Sequence, residues 1–532
     1  MNQAELTKKQ IVICSYILSA IIFLSFGNKV GSNGIAYLGV AIQSISIFLF
    51  FNFFGVADMI GKMIRGKKNK GFYKDAVVVR GRVLVIQAIT GIVLMAICFL
   101  MAPVLCKKVF CVPYGVIPLQ ILSVLIFLHS LEAMFGGYFQ SVGSYLPEAI
   151  GSIIRVVFTY LFSSFFANRM LGQGEKVSAL LMNSDFNGMY GAIGLSIGFV
   201  IGEMLVLVFY LFLYLISDRR GEKKRIAGGH QKVESLGDTC HYFYTTLLLL
   251  FATNLLMYLP SFAMFHFLGK KAPDVYANAY LLGEVYGKYF PVVFLFVCVY
   301  YLRFQILGTR MVSYVRKQDY RSVADHIGAG IHYTWCIGLY FCVMLMALTG
   351  NFSTAFFAGN SYLTKILPTM GVLVFVALLF NFVMSTLSYL KERVVLFAGS
   401  ALIAVISLLY YIVFAGKETS LSTMAVNGYL IGALVVGVIG TVLLIWKYQV
   451  RLDYIRVFVI PLFGIALAGL ICIFLSKLLT PHLGNLVSFI LCSVCGLFIY
   501  VVVLGITQSV KDIEISCLYG NLGKKILGLI FR

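Results

Sequence analysis

Glu284 and Lys288 stand four residues apart inside the apolar run "YLLGEVYGKYFP", and Glu132, Arg155 and Glu203 interrupt three other apolar runs. Charge at membrane depth is costly without a partner or water, so each is a candidate for chemistry. A spacing of four puts Glu284 and Lys288 on one helix face. There they either neutralise each other, or Lys288 offers a cation to an anionic substrate group such as a pyrophosphate, with Glu284 setting its protonation. Glu132 and Arg155 flank a nearly symmetric turn and so lie at similar depths. Their placement predicts a buried ion pair that Glu203 can join, and Glu132 or Glu203 could also carry a coupling proton. Lys29, in "FGNKVGSNG", is a second candidate cation. Gln43, Asn52 and Asn254 could bind sugar hydroxyls or serve as polar glue between helices. His129, His266 and His332 stand isolated and read as satisfied or lumen-facing side chains rather than metal ligands.

Other motifs fail on context. Cys492 and Cys495 form a CxxC, but within an apolar run, where a zinc or redox site lacks the polar, accessible setting it needs. Cys106 and Cys111 are close enough in sequence to pair, although nothing demands it. "GKMIRGKK" at Gly61–Lys68 nearly spells a phosphate-binding loop, but Lys68 stands where Ser or Thr would hold magnesium, and no soluble strand precedes it. No cofactor and no metal is expected.

The elements that must position these residues are membrane helices. Of 532 residues, 60% are hydrophobic and 12% charged, against about 45–50% and about 25% in soluble domains. Runs of about 20 apolar residues recur throughout, each long enough to cross a bilayer and, in lipid, obliged to be helical. Hydropathy gives about fourteen spans, near 10–28, 34–60, 83–104, 115–140, 148–167, 190–216, 241–268, 278–301, 328–350, 365–390, 394–414, 426–446, 457–477 and 485–507. The first run follows Lys8 and Lys9, lacks a small-residue cleavage site and reads as a signal anchor. Basic residues gather in alternate loops: Lys62 to Arg82, Arg219 to Lys232 and Arg303 to Arg321. With the N-terminus inside, about 30 lie on the cytoplasmic side and about 10 outside, the positive-inside bias. The net charge of +21 is therefore a topology signal and a contact for anionic lipid. Nucleic acid is excluded for want of an aromatic-studded basic module.

The order of elements hides a repeat. Tyr73-Lys74 and Tyr320-Arg321, each after a basic stretch and before a helix, are 247 positions apart; Gly151-Ser152 and Gly399-Ser400 are 248 apart; Asn187-Gly188 and Asn427-Gly428 are 240 apart. Three matches in the same order make spans 1–6 and 7–12 two copies of one six-helix unit. An even number of spans per copy makes the repeat parallel. The expected organisation is an all-α polytopic membrane protein with about fourteen transmembrane helices. An N-terminal lobe covers 1–216, a basic cytoplasmic linker 217–240 and a C-terminal lobe 241–446. Two additional helices follow in 447–507, then a basic amphipathic tail in 508–532.

"GGYFQSVGSYLPEAIGSIIRVV", between spans 4 and 5, resembles the GYFQG…P-T-A…Q…E element of polysaccharide flippases in the multidrug/oligosaccharidyl-lipid/polysaccharide (MOP) exporter superfamily. The style is that of stage V sporulation protein B-like or O-antigen flippase-like members. The likeness runs over spans 1–12 and includes the "GFYKDA" loop and "GAIGLSIGFVIGE" in span 6. Glu148 stands where the family often has Thr, and Ser152 where it often has Gln. The resemblance implies two six-helix lobes around a central cavity lined by spans 1, 2, 7 and 8, which raises Lys288. It implies an isoprenoid pyrophosphate-linked oligosaccharide as substrate, with H+ or Na+ as possible coupling ion. A multi-pass protein of the plasma membrane is expected, monomeric, with both termini cytoplasmic. A cation-coupled multidrug exporter is the alternative. Peptidoglycan-precursor flippases carry arginines around span 1, and this chain has none there. A membrane glycosyltransferase or polymerase fits less well, because the longest outer loop, about 168–189, holds only Glu175 and Asp185 as carboxylates.

Overall fold

The structure is a computed structural model and describes residues 3–217, 235–271, 275–357, 361–414, 421–511 and 513–518. Much of the basic linker, including Lys224, and most of the tail lie outside the described residues. Among the described residues every regular element is helical, and twelve helices are long and apolar enough to cross a membrane. Two of these stretches hold 63 residues (Thr7–Asn69) and 52 residues (Ile455–Ile506). At 1.5 Å per residue the longer would run about 95 Å, three times the hydrocarbon core. Each folds back at one glycine: Gly31 in α1 (Gln3–Asn52), with φ 75° and ψ 170°, and Gly484 in the last long helix (Ile460–Ile506), with φ 75° and ψ 168°. A side chain is strained at that φ, so glycine makes the single-residue reversal possible. Dividing both stretches there gives fourteen crossings.

One span ends early. Hydropathy carries span 2 to residue 60, but the helix stops at Asn52, Gly55 adopts φ 78°, and a separate α2 (Val56–Asn69) follows. The cause is a change of pattern rather than of composition. Val56, Met59, Ile60, Met63 and Ile64 are buried on one face, while Lys62, Arg65, Lys67 and Lys68 occupy the other positions, as in an amphipathic helix. An average over the window cannot see that switch.

The chain divides into two compact units, residues 2–287 and 288–532. In the first, α3 (Tyr73–Val104), α4 (Val116–Val142), α5 (Leu146–Leu181) and α6 (Asp185–Ile216) pack with α1 and α2. The "GAIGLSIGFVIGE" stretch makes α6 a close partner of α5. Gly194, Gly198 and Gly202 recur every four residues on one face and meet Ala167, Ser163 and Thr159; a Cβ at Gly194 would lie 2.6 Å from the Ala167 Cα. Small residues at this spacing let helix backbones touch in lipid.

The turn between α4 and α5 is a hub. The Gln140 amide donates to Glu148 at 2.6 Å; Lys8 of α1 pairs with Glu148, and Arg65 of α2 bonds the Gln140 carbonyl. The Arg80 guanidinium lies 5.2 Å from the Tyr138 ring centre and 5.8 Å from that of Tyr214, two cation–π contacts. Six helices, α1 to α6, contribute to this region, and its polar groups go into joining them.

In the second unit α9 (Phe290–Arg316), α10 (Tyr320–Ala347), α11 (Thr349–Phe357), α12 (Ser361–Tyr389), α13 (Arg393–Phe414) and α14 (Leu421–Lys447) precede α15 (Ile460–Ile506). The α15 hairpin is bonded along α10. Trp335 Nε1 donates to the Phe458 carbonyl at 3.1 Å, Tyr340 Oη to that of Ser493 at 2.8 Å and Tyr500 Oη to that of Cys336 at 3.4 Å. Beyond α15 a short helix closes the end. Glu514 accepts from Arg456 at 2.8 and 3.1 Å and meets His332 at 3.0 Å, while Arg310 donates to the Cys517 carbonyl at 2.8 Å. Burial alone would raise the Glu514 carboxyl, but His332 and Arg456 outweigh it and hold it at about 2.

Candidate functional site

Four ionisable side chains from α4, α5 and α6 converge inside the first unit. Arg155 Nε donates to Glu203 Oε2 at 2.7 Å, and its terminal nitrogen also contacts Glu132. His129 Nδ1 lies 2.9 Å from Glu132 Oε2 and 3.2 Å from Glu203 Oε1. Each residue comes from the middle of its helix. Glu132 is ten residues from the end of α4, Arg155 nine from the start of α5 and Glu203 thirteen from the end of α6. At 1.5 Å per residue these offsets are about 13–20 Å, well within a core of about 30 Å. The glycine seam between α5 and α6 sets the distance between Arg155 and Glu203. The turn between α4 and α5 sets that between Arg155 and Glu132. Phe53, just past α1, lays its ring 4.4 Å from that of His129.

His129 is therefore not isolated, contrary to the sequence expectation. The available signal was its position three residues before Glu132, on one face of a helix. The ligand atoms of His129, Glu132 and Glu203 lie within 4.8 Å of one another. A metal ion would have to compete there with Arg155, whose guanidinium already takes both carboxylates.

His332 is also partnered, by Glu514, and His266 Nδ1 lies 2.7 Å from the Val109 carbonyl. Cys106 and Cys111 are free thiols.

The other candidates from sequence scatter. Lys29 donates to the Ser164 carbonyl of α5 at 3.1 Å, a tie between helices within the unit. Asn52 donates to the Ile126 carbonyl of α4 at 2.9 Å, an interhelical bond. The main-chain carbonyl of Gln43 accepts from Tyr258 of α7 (Leu236–Lys271), and Asn254 lies half-buried one turn before that tyrosine. Glu284 ends α8 (Val275–Glu284), is fully buried and accepts from Ser32, just past the Gly31 reversal. Lys288 follows within a π-helical turn, Val285–Tyr289. The wider turn replaces the regular four-residue geometry expected of the Glu284–Lys288 pair. Such turns recur at functional sites.

Asp185, read from sequence only as a carboxylate of an outer loop, accepts from Tyr37 at 3.1 Å and Asn33 at 3.2 Å and links the start of α6 to the second half of α1. An apolar recess lies between Ile47, Phe48, Phe51, Leu94 and Phe251.

No protein-family profile and no curated protein matches the sequence. Solved structures do. A lipid II flippase MurJ in an inward closed conformation aligns with a TM-score of 0.64 at 14% identity, covering 94% of this chain and 98% of its own. An inward-facing multidrug resistance MATE family transporter of the MOP superfamily aligns at 0.61 and 12%, covering 84% of this chain and 98% of its own. A MOP superfamily transporter from Pyrococcus furiosus aligns at 0.54 and 12%, with the same coverages of 84% and 98%. A multi-pass all-helical membrane protein, this chain has the fold of the MOP-superfamily transporters.

Proposed function

We propose that the protein is a flippase that moves an isoprenoid pyrophosphate-linked oligosaccharide from the cytoplasmic to the outer leaflet of the plasma membrane by alternating access. One observation carries this reading over a multidrug exporter. The flippase alignment reaches 94% of the chain and the MATE alignments 83–84%. The difference, about a tenth of 532 residues, matches in size the 52-residue stretch Ile455–Ile506, the part of the chain outside the two six-span copies. A lipid-linked substrate has a long apolar tail that an organic cation lacks, and further lipid-facing helices suit it.

The pyrophosphate would be met by Lys288, where an anion in a low-dielectric setting gains more from a cation than it does in water. Anionic lipid would meet the basic cytoplasmic face. The acidic cluster centred on Arg155 keeps a multidrug reading in play, because carboxylates within the membrane suit cation exchange.

Purified protein in proteoliposomes decides between them. A fluorescent lipid-linked pyrophosphate oligosaccharide should become accessible to a quencher on the opposite leaflet, and Lys288→Gln should cut that rate at least tenfold while Lys288→Arg retains part of it. Flipping at the rate of empty liposomes, with ethidium efflux instead, would replace the flippase reading by the exporter.

A further inference from the structure

The cluster around Arg155 carries more charge than an ion pair requires. Arg155 contributes one fixed positive charge, and Glu132 and Glu203 contribute two negative charges when ionised. One negative charge in excess at this depth demands a counter-charge. His129 is placed to supply it, with Nδ1 at 2.9 and 3.2 Å from the two carboxylates and its ring against Phe53.

The surrounding elements bring other polar groups. From α3, Gln87 accepts from Ser130 and does not titrate. On α6, Tyr210 lies two turns beyond Glu203, with its hydroxyl toward Gly151 of α5. From α7, Phe243 and Leu247 pack with Ala133. The charged groups nearer the turn, Glu148, Lys8 and Arg65, are engaged there with one another and with Gln140. The cluster is closed on most sides, and the Arg155 side chain retains 28% exposure at its edge.

We propose that His129, Glu132, Glu203 and Arg155 form an exchangeable proton site in which one proton, held on His129 between the two carboxylates, switches the cluster between neutral and singly negative. The neutral form can stay dry. The negative form must draw in water or loosen the shared grip of Arg155, and either change alters how α4 sits against α5 and α6. Protonation is thereby tied to the shape of the first unit, and a proton gradient gains a handle on it. The inference goes beyond the flippase reading and does not depend on it.

The test needs no substrate. Full-length protein labelled with 15N-histidine is placed in lipid nanodiscs, and ring-nitrogen shifts are followed from pH 5 to 9, with His129→Gln assigning the His129 signals. Wild type should show His129 changing protonation state in this range. A pH jump read by an indicator dye should release one proton more per molecule than His129→Gln does. Glu203→Gln removes the excess negative charge, so His129 should be uncharged in that variant at a pH where it is charged in wild type. Glu132→Gln makes the same prediction should Glu203→Gln fail to fold. Equal proton counts for wild type and His129→Gln, or an unchanged His129 state in the folded Gln variants, would overturn the proposal.

Discussion

Arg155 holds two carboxylates from two helices at once, and removing it leaves two buried carboxylates with His129 alone between them. Breaking one side of a buried pair typically costs about 3–5 kcal/mol. We therefore expect Arg155→Ala to lower folded yield sharply, and Glu132→Ala to lower it less, because Glu203 still occupies Arg155 Nε. The exchange Glu132→Arg with Arg155→Glu should restore part of the loss. Size-exclusion yield at matched expression measures all of these, and equal yields would remove the contact from the stability argument. That Glu132 and Arg155 lie at one depth was legible because the turn between them is short and nearly symmetric. The part played by His129 was hidden by the habit of reading histidines singly, although its spacing from Glu132 is a helical one. The partners of Lys29 and Asn52 were not legible, for a different reason. A sequence shows that a polar group lies in a membrane helix but not which neighbouring backbone carbonyl it will find.

Helices were the most legible level of this chain. A run of twenty apolar residues in lipid has one low-energy backbone, so the crossings followed from hydropathy, while the break after Asn52 needed the sense of amphipathic phase that hydropathy discards. The glycine repeat of α6 was visible as a motif, but its partner was not. The structure shows that partner to be α5, with the backbone of Ser163 directly against Gly198. Gly198→Ala should cost about 1–3 kcal/mol, the usual toll of overpacking, and lower the thermal midpoint of the purified protein. Gly172→Ala, on the same helix pair but facing open space, is the control and should leave the midpoint unchanged or slightly raised, since Ala favours a helix over Gly by about 1 kcal/mol. An equal fall at both positions would mean that the seam does not set the response.

For the whole molecule, the charge asymmetry of the loops predicts that both chain ends face the cytoplasm. Single cysteines near Lys68 and Lys224, on a cysteine-free background, should resist an impermeant thiol reagent in intact cells and react after permeabilisation. Labelling of either in intact cells would overturn this orientation. The end of the second unit has its own pH signature. The Glu514 carboxyl is held at about 2 in the folded protein, against a usual value near 4.3. Its stabilisation is thus fully present above the usual value and is lost as pH falls toward 2, an effect on the order of 3 kcal/mol. Protection against hydrogen exchange at residues 513–518, referenced to the intrinsic rate at each pH, should stay high at neutral pH and fall below about pH 4, and in Glu514→Gln it should be low throughout. Unaltered exchange in that variant would assign the anchoring to Arg310 alone.

The bonds that fix the α15 hairpin along α10 make those two crossings passengers of the second unit. In the alternating-access cycle proposed above, any tilt of that unit would drag them sideways through the surrounding lipid. The area of bilayer displaced in a stroke is correspondingly larger than for a six-span body, and so is the viscous drag. Turnover should therefore slow in stiff, sterol-like or long-chain saturated bilayers more steeply than it does for a transporter that lacks the hairpin. The membrane then acts as a brake whose strength depends on its fluidity.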